Sequence, residues 1–209
     1  MEISNIVEMI REAEAEEART GDLVHLLQAI AERRGCNPNP SELDDAARFV
    51  AEYINQVPVY MEEALLTARE AGIEPEMIRV LQAAETYWAD PHDVIPDRMG
   101  LVGIMDDAYT SMCLLERMSD RLKEKTGQSL FSQDLNPANA AIRVIIGEPY
   151  ATQLDMYVSN PLRDNPLLQL LLRQAELDID AHRLRIDIGW GEKKIDEMIA
   201  ARLGPIGVV

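Results

Sequence analysis

The sequence predicts an all-α fold, a multi-helix bundle of about seven to nine helices with a central Asp/Pro-rich helical hairpin. Three observations carry this. Apolar residues recur at three- and four-residue spacing along most of the chain. Apolar residues make up 47% of the 209 positions but aromatics only 5%, so Leu, Ile, Met and Ala dominate, a mix that suits helix-on-helix packing better than sheets. Gly and Pro fall between the apolar stripes, where a helical backbone must stop or turn. The length suffices for one sizeable core, or for a core with a smaller appendage.

The first stripe is Ile3, Ile6, Val7 and Ile10, followed by a Glu- and Ala-rich face up to Arg19. Gly21 and Asp22 punctuate, and Leu23, Leu26, Leu27 and Ile30 mark a second helix ending at Gly35. CNPNP (36–40) cannot continue it, because proline lacks an N–H and disfavours helical geometry in the residue before it. Ser41 is then the expected N-cap, with Asp44 and Asp45 in a first turn that favours anions. The stripe from Leu43 to Ala68 predicts one long helix, or two meeting at a kink near Pro58, ended by Gly72. Pro75 suits a first helical turn, and Met77, Ile78, Leu81, Ala84 and Trp88 follow it.

After an Asp-rich loop, Leu101 to Lys125 is again helical in spacing, and Gly127 stops it. Asn136-Pro137 opens another helix, Gly147-Glu148-Pro149 breaks it, and Tyr150 to Val158 resumes it. SNPLRDNP (159–166) reads as a linker or sharp corner. It predicts a division into an acidic helical body, 1–160, and a C-terminal helical segment, 161–209, packed on the body or on a partner. In that segment Leu168, Leu172, Ala175, Ile179 and Ile186 form one stripe. Leu170, Leu177 and Leu184 form a second, with Ile188 one turn on. Two apolar stripes imply burial on two sides, so Leu170, Leu177, Leu184 and Ile188 are the candidate interaction residues; a central helix of a larger bundle satisfies the same pattern. LRIDIGW (184–190) alternates like a short strand, and a last short helix follows.

Charge narrows the partners. The net charge is −17, and residues 1–160 hold 29 Asp+Glu against 13 Lys+Arg, whereas 161–209 hold 8 against 7. Such a body repels nucleic-acid phosphate and anionic membrane surfaces; basic proteins and metal cations are the compatible ligands, and solubility alone also accounts for the carboxylates. The amphipathic first helix is the one feature that favours peripheral membrane association. Cys36 and Cys113 make neither a disulfide framework nor a zinc signature, so a reducing cytoplasm is the expected location. The N-terminus lacks the basic and apolar regions of a signal peptide.

The stretch DPHDVIPDRMGLVGIMDD (90–107) is the least generic. Pro91 and Pro96 stiffen it, Gly100 and Gly103 permit a tight turn, and Asp90, Asp93 and Asp97 can accept backbone N–H groups. Asp106 and Asp107 point about 100° apart on a helix, so they cannot chelate one ion as a simple pair; one can face the loop while the other faces water. If Asp93, Asp97, Asp106 and Asp107 converge with His92, their oxygens suit Mg²⁺ or Ca²⁺, and a crowded carboxyl suits a general acid. The competing reading is helix capping and loop bracing, with Arg98 or Arg79 as charge partner. Glycine-rich phosphate loops, G-x-S-x-G, C-x-x-C, H-E-x-x-H and D-D-x-x-D are all missing from the sequence.

Tyr87-x-x-x-Pro91-x-Asp93-x-Ile95-Pro96-Asp97 followed by Gly100-x-x-Gly103-x-x-Asp106-Asp107 resembles the YkvA-like domain, a bacterial family of unknown function. The resemblance covers about residues 78–118. It departs where the family has a proline and an apolar residue shortly after the second Asp; here Arg98 and Met99 precede Gly100. It implies a helical hairpin and no established activity. The expected function is therefore a non-enzymatic cytoplasmic interaction or regulatory protein without a cofactor, acting through self-association or a partner helix. The alternative is a divalent-metal-dependent enzyme or cation-sensing module built on the Asp-rich loop.

Overall fold

The computed structural model describes residues 3–70, 73–90, 94–127, 129–163 and 195–209, without the side chains of 70, 76, 97, 125, 126 and 160–163. Among the described residues, eight α-helices and two 3-10 helices pack around one apolar core, and there is no strand. The helices are α1 (Ile3–Thr20), α2 (Asp22–Arg33), α3 (Pro40–Glu70), α4 (Glu74–Trp88), α5 (Met105–Thr126), α6 (Asn136–Ile146), α7 (Tyr150–Arg163) and α8 (Ile195–Leu203). The 3-10 helices are Asp97–Val102 and Gly204–Ile206. No helix among the described residues is long and apolar enough to cross a membrane.

Local chemistry explains most of the boundaries. The chain leaves α1 through Gly21 (φ 66°), a left-handed conformation that glycine adopts without strain. The Glu17 carboxylate then accepts the Leu23 N–H at 3.0 and 3.1 Å, doing the work of a missing N-cap side chain for α2. Asn39, not Ser41, caps α3. Its Oδ1 accepts the Glu42 N–H at 3.1 Å, while Glu42 Oε2 accepts the Asn39 N–H at 2.7 Å. This reciprocal box places Pro40 at the first helical position, where its missing N–H costs nothing, and leaves Ser41 inside the helix. Pro58 lies inside α3, which stays one helix; packing on both sides of it, with Ile54, Val57, Tyr60 and Met61 fully buried, offsets the lost hydrogen bond.

Two further expectations are corrected. The 159–166 stretch does not begin with a corner, because α7 runs through Asn160-Pro161 to Arg163. The helix after the Asp-rich loop starts at Met105 rather than Leu101, and the residues before it form the 3-10 helix. The described part of the C-terminal segment packs on the body. Ile199, Leu203 and Ile206 join the common core, and Arg202 reaches Glu52 of α3 at 2.6 Å. The candidate interaction residues Leu170, Leu177, Leu184 and Ile188 lie outside the described residues, as do the second apolar stripe and the strand-like LRIDIGW.

α5 is the centre of the bundle. It packs against α3, α4, α6 and α7, and every residue from Gly100 to Leu115 is buried. The 3-10 helix before it lies across α1. Gly100 makes that approach feasible: its φ is +59° and ψ −136°, a region open to glycine, and an added Cβ would stand 3.1 Å from Glu17 N and 3.3 Å from Ala13 O. Both neighbours are backbone atoms of a helix and cannot retreat. Gly103, by contrast, has ordinary right-handed helical geometry (φ −64°, ψ −40°). Gly100→Ala is expected to cost at least the roughly 1–3 kcal/mol of a strained backbone position, measured as a lower urea midpoint with an unchanged slope.

Candidate functional site

The motif residues meet where α4 ends and α5 begins. α4 carries Tyr87 and Trp88 in its last turn, both buried. Asp106 and Asp107 occupy the first turn of α5, where the helix dipole favours acidic groups, and both are 0% exposed. Asp106 Oδ2 accepts the Tyr87 hydroxyl at 3.0 Å and the Ile95 N–H at 3.0 Å. The Val94 N–H donates to the Tyr87 oxygen at 3.4 Å. One carboxyl group thus gathers the end of α4 and the loop onto α5. One turn on, Trp88 Nε1 donates to Ser111 Oγ at 2.9 Å, and the Tyr87 ring meets Tyr157 of α7 edge-on at 4.9 Å. Burial, and then the neighbouring Asp106, push the Tyr87 hydroxyl far above its ordinary range, so it stays a donor.

The expectation that one of the adjacent aspartates faces water is wrong: the first half of α5, through Leu115, is enclosed on all sides, so a rotation of about 100° carries the second carboxyl against another neighbour rather than into solvent. Thr110, one turn on and also 0% exposed, has no hydrogen-bond partner for Oγ1 among the described residues. Arg98 is exposed and lines a cavity with Glu12 and Glu16 of α1. The Asp106 donors shown here are a main-chain amide and a phenol. Of the other proposed ligands, Asp97 starts the 3-10 helix, while His92, Asp93 and the Asp97 side chain lie outside the described residues. Among the described residues no three His, Cys, Asp or Glu side chains gather as metal ligands do.

Sequence reasoning passed over a second polar cluster, farther along α5 from Tyr109 to Glu116. Tyr109 donates to Asp155 Oδ1 of α7 at 2.7 Å, and Asp155 Oδ2 accepts Arg143 Nε of α6 at 2.9 Å. Arg143 also donates to Glu148 Oε1 at 2.8 Å. Glu116 Oε2 accepts Asn139 Nδ2 at 2.5 Å, and Asn139 Oδ1 accepts the Tyr53 hydroxyl of α3 at 2.6 Å. Burial pushes the Cys113 thiol up to about 12, so it is a protonated, unreactive group. Burial also raises the Glu116 carboxyl above its ordinary 4.5. The Asn139 hydrogen bond opposes this, and the nearby Asp120 and Asp134 add to it. The signal available in the sequence was Asn139, the one polar residue on the apolar face of α6 between Ala138 and Ile142.

Compared with protein-family models, with curated proteins and with solved structures, the chain matches none.

Tyr87→Phe keeps the ring and removes one donor from a buried carboxyl, so it is expected to lower stability by about 1–3 kcal/mol in urea denaturation. Glu116 makes a pH-dependent contribution of opposite sign to a salt-bridged acid. Folded Glu116 holds its proton to higher pH than the unfolded chain, so stability falls as pH rises from 4.5 through its raised value. Glu116→Gln keeps an acceptor for Asn139 and is expected to be more stable than the parent at pH 7. Its stability should also vary less between pH 4.5 and 7, measured by urea titration at each pH.

Proposed function

We propose that the chain is a non-enzymatic cytoplasmic interaction or regulatory protein that works by presenting helical surfaces to a second copy or to a partner helix. The observation that carries this is the use made of Asp106. Its carboxyl is fully buried and joins the end of α4, the loop and α5 through the Tyr87 hydroxyl and the Ile95 amide, which is the work of a brace. On the outside, Val59 and Leu66 of α3 are 42% and 51% exposed and stand two helical turns apart on one face, and Met156 of α7 is 63% exposed. Residues 78–118 are, on this reading, a YkvA-like hairpin. Tyr87, Ile95 and Asp106, three positions of that pattern, share one hydrogen-bond cluster.

Light scattering of the full chain tests the self-association arm. A dimer or larger species is expected at micromolar concentration, with its mass reduced in Leu66→Glu. A strict monomer that also fails to bind an apolar dye would overturn the proposal. A second reading, a cation-sensing or metal-dependent site, is favoured by one observation: two adjacent fully buried carboxyls, with the buried Thr110 one turn on, all oxygen-bearing groups of the kind Mg²⁺ and Ca²⁺ take. Calorimetric titration with Mg²⁺, Ca²⁺ and Mn²⁺ separates the two. The brace predicts no heat and no thermal stabilisation; saturable binding lost in Asp106→Asn would establish the cation site instead.

A further inference from the structure

The cavity between α5, α6 and α7 has a volume of about 440 Å³, within the range of small-molecule sites. Its floor is Cys113 and Val158, both buried. Its polar walls are already oriented before any ligand arrives. Asp155 is held at both oxygens, by Tyr109 and Arg143, and Glu116 is held by Asn139. Such held groups lose little freedom on binding.

The mouth is different. Arg117 and Asp120 line the cavity three residues apart on α5, the spacing at which opposite charges on a helix face each other. Among the described residues no direct ion pair joins them, while the Arg117 guanidinium lies near enough to Glu116 to favour its charged form. Glu116 stands beside them and also lines an adjoining cavity of about 250 Å³ with Asp120 and Asp134. A cation and two carboxylates therefore stand side by side at the opening of the pocket, with no direct ion pair between Arg117 and Asp120. A purely anionic ligand would meet Glu116, Asp120 and Asp155, and a purely cationic one would leave the Arg117 guanidinium unanswered.

We propose that this cavity binds a small zwitterion, its carboxylate on Arg117 and its ammonium group on Asp120 and Glu116. The geometry suits a molecule with a few methylene groups between its charges, because side chains three apart on a helix have Cβ atoms about 5–6 Å apart. Occupation would also place a second positive group, besides Arg117, near Glu116, whose carboxyl is burdened by burial and by Asp120 and Asp134. This site is independent of the interaction role: either can fail while the other stands.

The experiment is calorimetric titration of the full chain with glycine, β-alanine and 4-aminobutyrate, and with propionate and propylamine as single-charge counterparts. At least one amino acid is expected to bind about tenfold more tightly than both single-charge compounds. Arg117→Gln and Asp120→Asn, at half-exposed and exposed positions, are each expected to weaken that binding about tenfold while circular dichroism stays unchanged. No saturable heat from any amino acid overturns the proposal. So does propylamine binding as tightly as the best amino acid, or folded variants that bind like the parent.

Discussion

A carboxyl group can be taken fully out of water only where donors answer it. At Asp106 they include the Tyr87 hydroxyl at the end of α4 and the Ile95 amide in the loop. That requirement sets the direction of the chain after α4. With Ile95 tied to α5, the residues that follow turn as a 3-10 helix and cross α1, and the crossing is close enough that Gly100 stands against the backbone of Ala13 and Glu17. Besides their shared apolar core, α1, α4 and α5 are thus linked through one buried acid and one closely approaching glycine.

Along α5 the same logic is repeated toward each neighbour. Ser111 receives Trp88 of α4, Tyr109 reaches Asp155 of α7, Glu116 reaches Asn139 of α6, and through it Tyr53 of α3. Ser119 accepts the Leu130 N–H at 3.0 Å and closes the turn that follows the helix. Apolar packing tolerates rotation and sliding of a helix among its neighbours; directional bonds to four different elements do not. The enclosure of α5 therefore requires polar residues, each answered by a particular neighbour, and these polar groups also shape the cavity beside Glu116 and Arg117.

The legibility of these features differs for physical reasons. Helices α1 to α4 and α6 were readable because each buries a single stripe, so Ile6 and Ile10, or Leu23 and Leu27, repeat at helical spacing. The cap of α3 was misplaced because Asn39 and Ser41 are equally good capping residues in isolation; Glu42, three residues after Asn39, decides between them. Asn160-Pro161 suggested a corner, but α7 continues through it to Arg163. The Asp-rich loop was recognised as special, and Asp106 as part of it, yet the full burial of Asp107 was not foreseen. Burial of a polar residue depends on what surrounds the helix, which periodicity does not record.

The chain's own residues determined the class of the fold, the positions of most breaks and the singular character of residues 90–107, because spacing, proline and glycine act locally. Only tertiary structure decided that α5 lies at the centre, that its acids and hydroxyls are buried rather than solvated, and that Glu116, Arg117, Asn139 and Asp155 gather around one cavity. Those outcomes depend on contacts between residues far apart in sequence. A polar side chain reads the same whether water or a neighbouring helix answers it.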